Sequence, residues 1–164
     1  MNRSPENSPL YILGIESSCD ETAAAVVADG RLICSNIISS QVELHARYGG
    51  VVPEIASRRH LELINLIIEQ ALAEARLNLS ELDAVAVSSG PGLVGALLVG
   101  VSTAKALAYA ARLPLIAVNH VEAHLYANFL TGAGVRYPLV ALIASGGHTT
   151  LLLMPEPEQI IALG

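Results

Sequence analysis

The chain has no tryptophan, one phenylalanine and five tyrosines in 164 residues. A core without large rings has to be assembled from closely packed small aliphatic side chains, and 25 leucines and 24 alanines supply them. Charge is scarce as well: 15% of residues carry one, against about 25% in a typical soluble domain. Disordered chains are polar and highly charged, so a hydrophobic content of 52% excludes that class. Only Lys105 is a lysine, and 15 acidic against nine basic residues leave a net charge of −6. No basic stripe stands out, so a nucleic-acid partner would need much of its phosphate attraction from outside this chain. No apolar run reaches the roughly 18 residues of a membrane span. The longest candidate, Leu93 to Val101, stops at Ser102-Thr103 and meets Lys105. The opening MNRSPENSPL lacks the basic start and apolar stretch of a secretory signal. Cys19 and Cys34, with no such signal, read as reduced cytoplasmic thiols and not as a disulfide framework. The length suits one domain with a sizeable core. A mean hydropathy of +0.52 is high for a free-standing one.

Residues 1–10 are polar and proline-containing, and are expected to be a disordered leader. Tyr11–Ser17, Thr22–Ala28 and Arg31–Ile38 are short apolar or alternating runs, with the hairpin signal Asp29-Gly30 between the last two. Together they predict an antiparallel meander. The stretch SSQVELHARYGGVVPE reads as a loop that ends with Pro53 at a first helical position. From Glu54 to Arg76 the apolar residues fall mostly at helical spacing. Leu82–Val87 then reads as a strand, Leu93 to Arg112 as a second helix, and Leu115–Val118 as another strand. His120–Leu130 fits a third helix with Asn119 at its N-cap. Leu139–Ala144 and Thr149–Leu153 form strands around the turn Ser145-Gly146-Gly147, and the final IIALG resembles the start of one more. The order β-β-β-α-β-α-β-α predicts a mixed five-stranded sheet with helices, a ribonuclease-H-like layer arrangement, followed by a hairpin that restarts the pattern.

Three clusters carry chemistry. In His120-Val121-Glu122-Ala123-His124 the two histidines lie four apart, so on a helix both imidazoles share a face and can address one metal ion. Two partly exposed histidines near a helix start would look the same, and His45, His60 or His148 could join them. Two protein ligands are too few for a tight site. The zinc-protease pattern HExxH differs, because there the glutamate directly follows the first histidine. Glu122 lies two residues along, roughly 200° around the helix from His120, out of reach of the same water. Ser145-Gly146-Gly147-His148 could present backbone N–H groups to an anion, or be an ordinary tight turn. Outside these clusters, Gly90-Pro91-Gly92 carries the same ambiguity as that turn, between anion binding at a helix start and tight helix–sheet packing. Glu16-Ser17-Ser18-Cys19-Asp20-Glu21-Thr22 brings three carboxylates and several hydroxyls into seven residues, suited to magnesium, to a phosphate, or to a solvated turn. Cys19 has no basic neighbour in sequence to activate it as a nucleophile. All three clusters fall at strand ends or helix starts, where open α/β sheets bind ligands.

GIESSCDETAAAVV (Gly14–Val27), YGGVVPEIASRRH (Tyr48–His60), SSGPGLVGALLVG (Ser88–Gly100), VNHVEAH (Val118–His124) and IASGGHTTLL (Ile143–Leu152) occur in that order. From about residue 11 to the final glycine the chain thereby resembles the bacterial form of the TsaD/Kae/Qri family. These are the tRNA N6-adenosine threonylcarbamoyltransferases. The resemblance implies an α/β, actin-like fold of the Hsp70 and sugar-kinase superfamily, built from two ribonuclease-H-like lobes around a ligand cleft. Residues 11–134 would be the N-terminal lobe and residues 135–164 the opening hairpin of a truncated second one. The implied reaction moves a threonylcarbamoyl group from threonylcarbamoyl-AMP to N6 of the adenosine beside the anticodon in tRNAs reading ANN codons. The family's metal-binding histidines fall on His120 and His124, with iron (Fe²⁺) usually assigned and zinc or magnesium as alternatives. Its glycine-rich substrate segment falls on Ile143, Ala144, Ser145, Gly146 and Gly147. Its acidic pair falls on Asp20 and Glu21, the candidates for the general base. Family members run to roughly twice this length, and their third metal ligand, an aspartate, would lie beyond this chain. The chain by itself is therefore expected to bind metal weakly and to transfer nothing.

Implied partners are a TsaB-like paralogue, a TsaE-like ATPase and tRNA, with no membrane. A homodimer through the helices Glu54 to Arg76 and Leu93 to Arg112 is the further expectation. A non-catalytic binding lobe is the main alternative, although the family's shorter paralogue lacks the histidine pair present here. A metallo-endopeptidase is disfavoured by the position of Glu122. A generic actin-fold ATPase or sugar kinase explains the glycine turns but not the histidines. The apolar excess fits a core whose other half is absent, with Leu139–Ala144 and Thr149–Leu153 left as unpaired edges and apolar faces.

Overall fold

Asp29 and Gly30 take positive φ values of 51° and 65°, and the Arg31 N–H donates to the Ala28 carbonyl at 3.0 Å. That is the two-residue hairpin turn the Asp-Gly pair predicts, whose twist matches the flanking strands. The computed structural model describes residues 8–130, 132, 134–145 and 148–164. Most of the expected leader, residues 1–7, lies outside them. Leu10 is tied down: its N–H donates to the Asp29 carboxylate at 2.8 Å, and its carbonyl accepts from the Asp29 N–H at 2.9 Å.

Strands β1 (Tyr11–Glu16), β2 (Glu21–Ala28) and β3 (Leu32–Ser40) form the antiparallel meander. Two more strands, β4 (Ala84–Gly90) and β5 (Leu115–Asn119), run parallel to β1 and complete the order β3-β2-β1-β4-β5. Parallel neighbours need long crossovers. Helices α2 (Pro53–Ala75) and α3 (Val94–Ala111) supply them, with Pro53 at the first helical turn as predicted. The mixed five-stranded sheet expected from the sequence is present.

Alternation along the strands turns Leu13, Ile15, Ala24, Val26, Val85 and Val87 to one face. There they meet Ile64, Ile67, Ile68 and Ala71 of α2 and Val99, Ala104 and Ala108 of α3. The small residues on α3 let it approach the strands closely, in place of large rings. By length and composition alone α3 could cross a membrane, with a mean hydropathy of 1.5 over 18 residues. The run-length expectation missed this because Thr103 and Lys105 interrupt the run without making the helix polar. In the fold α3 packs on the sheet and beside α2.

The stretch read as a loop before Pro53 contains a short helix, α1 (Val42–Ala46). Five residues are too few to show a helical period. The Gln41 and His45 side chains are buried there and bond each other at 3.2 Å. Asn78 and Glu81 close a single 3₁₀ turn at Leu79–Glu81 through a capping box.

The chain divides into two compact units, Met1–His120 and Val121–Gly164. Helix α4 (His120–Leu130) starts on the last residue of the first. In the second unit β6 (Leu139–Ser145), β7 (His148–Met154) and β8 (Ile161–Ala162) form an antiparallel sheet in that order. Its core is Leu125, Leu152 and Met154, surrounded by Val121, Tyr137, Leu139, Ala141, Ile143 and Ile160. The expectation of two unpaired strands therefore needs correction for β7. The final IIALG folds back on it, with the Leu163 N–H donating to the Leu151 carbonyl at 2.8 Å. Val140 and Leu142 of β6 do expose apolar surface.

Candidate functional site

The parallel pairing of β1, β4 and β5 gathers their C-terminal ends, the place where open α/β sheets bind ligands. Glu16 closes β1, Ser88 lies near the end of β4, and His120 follows the last residue of β5. The His120 Nδ1 is 3.0 Å from Glu16 Oε2 and 3.1 Å from Ser18 Oγ. Glu16 Oε2 also accepts from the Ser88 hydroxyl, and Glu16 Oε1 from the Ser18 N–H. Burial works against a charged Glu16, but the hydrogen bonds from His120, Ser18 and Ser88 outweigh it and hold the carboxyl at about 2. The same hydrogen bond raises the His120 pKa above the usual histidine value against the opposing effect of burial, with the charges of Glu16 and Glu21 adding to it. Glu21 is thus an electrostatic neighbour of His120.

The Cys19 thiol is pushed up to about 11, first by burial and then by its hydrogen bond to Asp20 and that residue's charge. A thiol so held is a poor nucleophile at neutral pH. The loop that carries Cys19 and Asp20 is pinned by a fully buried histidine. His60 Nδ1 meets the Thr22 hydroxyl at 2.8 Å, and its Nε2–H donates to the Cys19 carbonyl at 3.0 Å. His45 is committed likewise, with Nε2 on Gln41 Oε1 at 3.2 Å and Nδ1 accepting from the Val52 N–H at 3.3 Å. Neither joins His120, because both ring nitrogens of each already serve the scaffold. His124 lies one helical turn beyond His120 on α4, which the four-residue spacing dictates. Among the described residues no group of three His, Cys, Asp or Glu side chains could hold a metal ion.

Within Gly90-Pro91-Gly92, Gly92 packs closely against the Ser18 loop. The Leu93 N–H, ahead of α3, donates to the Ser18 carbonyl at 2.7 Å. A Cβ on Gly92 would lie 2.6 Å from that same carbonyl oxygen. Backbone cannot give way there, so Gly92→Ala should destabilise the chain by about 1–3 kcal/mol. Urea unfolding followed by circular dichroism checks it, and an unchanged midpoint would mean that the Ser18 loop yields.

Of the substrate segment implied by the resemblance, Ile143 joins the second core, and Ala144 stands exposed on β6 opposite Thr149. The Ser145 backbone pairs with that of His148. Gly146 and Gly147 lie outside the described residues. The roles of Glu16 as a partner of His120 and of Ser88 as a partner of Glu16 do not show in the sequence, where Glu16 is one carboxylate of a loop cluster. The available signal is position, since Glu16 ends β1 and Ser88 lies near the end of β4, strands that the topology makes parallel neighbours. A surface cavity of about 640 Å³ lies by the C-terminal half of α3, lined by Lys105, Tyr109, Arg112 and Leu115 among others. It is remote in the fold from the Ser18 loop, which meets the other end of that helix.

A family model described as TsaD, tRNA N6-adenosine threonylcarbamoyltransferase, matches residues 32–164. Across all 164 residues the chain is 57% identical to the tRNA N6-adenosine threonylcarbamoyltransferase of Geobacillus kaustophilus (strain HTA426), covering 48% of that protein. It is 58% identical over 158 residues to the protein of the same description from Geobacillus thermodenitrificans (strain NG80-2), covering 96% of this chain and 46% of the relative. The chain spans about half the length of these curated relatives. Among solved structures it is similar to YeaZ from Pseudomonas aeruginosa, with a TM-score of 0.60 at 20% identity. That match covers 94% of this chain and 65% of the other, and the likeness is one of fold.

Proposed function

Because the chain belongs to the TsaD family, we propose that it supplies a lobe of a tRNA N6-adenosine threonylcarbamoyltransferase. The observation that carries this reading is the 57% identity over the whole chain. In the proposed reaction the exocyclic N6 of a tRNA adenosine attacks the carbamoyl carbon of threonylcarbamoyl-AMP. A C–N bond forms, the bond from that carbon to the phosphate oxygen breaks, AMP departs with the electron pair, and N6 loses a proton. An adenine amine is a weak nucleophile, so positioning and a base have to supply the rate. Asp20 or Glu21 would take the proton. Backbone N–H groups of Ser145, Gly146 and Gly147, beside Ile143 and Ala144, would hold the adenylate.

His120 and His124 fit a divalent metal as two of its donors: they lie one turn apart on one helix, and the Glu16 carboxylate orders the first. Iron is the expected ion, with zinc or magnesium as alternatives, and it would contribute Lewis-acid polarisation of a carbonyl or phosphoryl oxygen. With a net charge of −6, much of the attraction for tRNA has to come from elsewhere, such as TsaB-like and TsaE-like partner subunits in the cytoplasm.

Joining these 164 residues to the remaining half of the Geobacillus kaustophilus relative tests the reading. With threonylcarbamoyl-AMP, an ANN-reading tRNA and the relative's partner subunits, the chimera should form threonylcarbamoyladenosine, detected by nucleoside mass spectrometry. A folded chimera without product, beside an active parental relative, would overturn it.

Exposed Leu61 and Leu66 on α2 and Val94, Leu98 and Tyr109 on α3 favour a second role for this lobe as a dimerisation surface. Sedimentation velocity should then show self-association rising with concentration. A strict monomer at high concentration would sink that role.

A further inference from the structure

Three consecutive carbonyls of the loop between β1 and β2 are each spent on a different part of the scaffold. The Ser18 carbonyl accepts from the Leu93 N–H ahead of α3 at 2.7 Å. The Cys19 carbonyl accepts from the His60 Nε2–H of α2 at 3.0 Å. The Asp20 carbonyl accepts from the Gln41 N–H ahead of α1 at 2.9 Å. The two outer anchors are backbone groups, and the middle one is a side chain. His60 is 0% exposed, and so is Thr22, whose hydroxyl lies 2.8 Å from His60 Nδ1. A carbonyl has no proton to give, so Nε2 carries the hydrogen and Nδ1 accepts from the hydroxyl. One buried ring therefore holds Cys19 with one nitrogen and Thr22 with the other. Between those two residues stand Asp20 and Glu21.

We propose that His60 is a positioning residue for the acidic pair: by gripping Cys19 and Thr22 it fixes the backbone that aims the Asp20 and Glu21 carboxylates. His60 touches no substrate in this role and acts through the two carboxylates that it flanks. The consequence for turnover rests on the reading of Asp20 or Glu21 as the base, while the grip is a property of the chain alone. Losing the ring strips the Thr22 hydroxyl and the Cys19 carbonyl of their partners, which opening of the loop relieves. The Cys19 thiol reports that opening independently of any reaction. Burial first, and Asp20 second, push it up to about 11. Releasing the loop returns the thiol toward its ordinary value and makes it easier to alkylate. Cys34, on β3 beside the other end of β2, is the internal control.

The test alkylates the 164-residue chain with iodoacetamide and follows both cysteines by peptide mass spectrometry. His60→Leu keeps apolar bulk and removes both ring nitrogens. It should speed alkylation of Cys19 about tenfold, the factor that one lost hydrogen bond supplies, and leave Cys34 unchanged. His60→Gln, whose amide N–H reaches toward the Nε2 position, should restore slow alkylation, a rescue that packing alone would not produce. In the chimera, His60→Leu should lower kcat about 10²-fold with KM within a few-fold, as a displaced catalytic group does, and His60→Gln should regain most of it. An unchanged Cys19 rate in a folded His60→Leu chain overturns the proposal. Equal acceleration at Cys34 overturns it too, because His60 would then be a general core residue. A His60→Gln chain that labels like His60→Leu counts the same way, as does an opened loop with undiminished turnover. A folded chimera that keeps His60 and forms no product would remove the transferase reading, while the thiol comparison still decides the grip. Should His60→Leu fail to fold, Thr22→Val deletes the hydroxyl from the other half of the grip and should speed Cys19 by a smaller factor. No change there would overturn the proposal equally.

Discussion

Leu13→Ala lowers the free energy of unfolding by about 3–5 kcal/mol, a large share of the roughly 5–15 kcal/mol typical of a native domain. Leu13 is 0% exposed on β1, the central strand of the five-stranded sheet. Its side chain belongs to the core formed with α2 and α3. Strands β2 and β4 hold β1 on both sides, so the walls of the new cavity cannot collapse, and the loss belongs in the upper part of the range for such truncations. Leu10→Ala, half exposed just before the same strand, should stay within about 0.5 kcal/mol. Urea unfolding of both variants checks the contrast. Equal losses would mean that the sheet is not the stability core of the chain.

In the chimera described above, His120→Ala and His124→Ala should each cut threonylcarbamoyl transfer by about 10³-fold. Losing a metal-based contribution of several kcal/mol corresponds to that factor. Truncating His120 also strands the Glu16 carboxylate, which loses the hydrogen bond that chiefly keeps it charged. Cys19→Ser should retain activity within a few-fold, because a thiol pushed up to about 11 supplies almost no thiolate at neutral pH. The readout is modified nucleoside per enzyme per minute. Near-native turnover by either histidine variant would remove the pair from the reaction, and an inactive Cys19→Ser would reopen covalent catalysis.

Local signals in the sequence were sufficient wherever a few neighbouring residues decide the outcome. Asp29-Gly30 specified its hairpin, because those residues reach positive φ readily. Pro53 opened α2, and the spacing of His120 and His124 put both on one helix. The short helix Val42–Ala46 escaped, since five residues carry no readable period and tertiary contacts of Gln41 and His45 stabilise that segment. Sequence spacing also left His45 and His60 open as further ligands. Burial closed that option, because each ring is spent on scaffold hydrogen bonds.

The sequence alone thus determined the order of the strands and longer helices, the aliphatic core, the family resemblance and the helical histidine pair. Each depends on neighbours within a turn or a strand, or on motifs held in order along the chain. Only the tertiary structure decided that Gly92 serves close packing and that Glu16 belongs to His120. Those two residues are 104 positions apart, and Ser88 stands 72 positions from Glu16. No local pattern links them. Contact between them requires β1, β4 and β5 to lie parallel and adjacent, and that arrangement follows from where the crossover helices return the chain to the sheet.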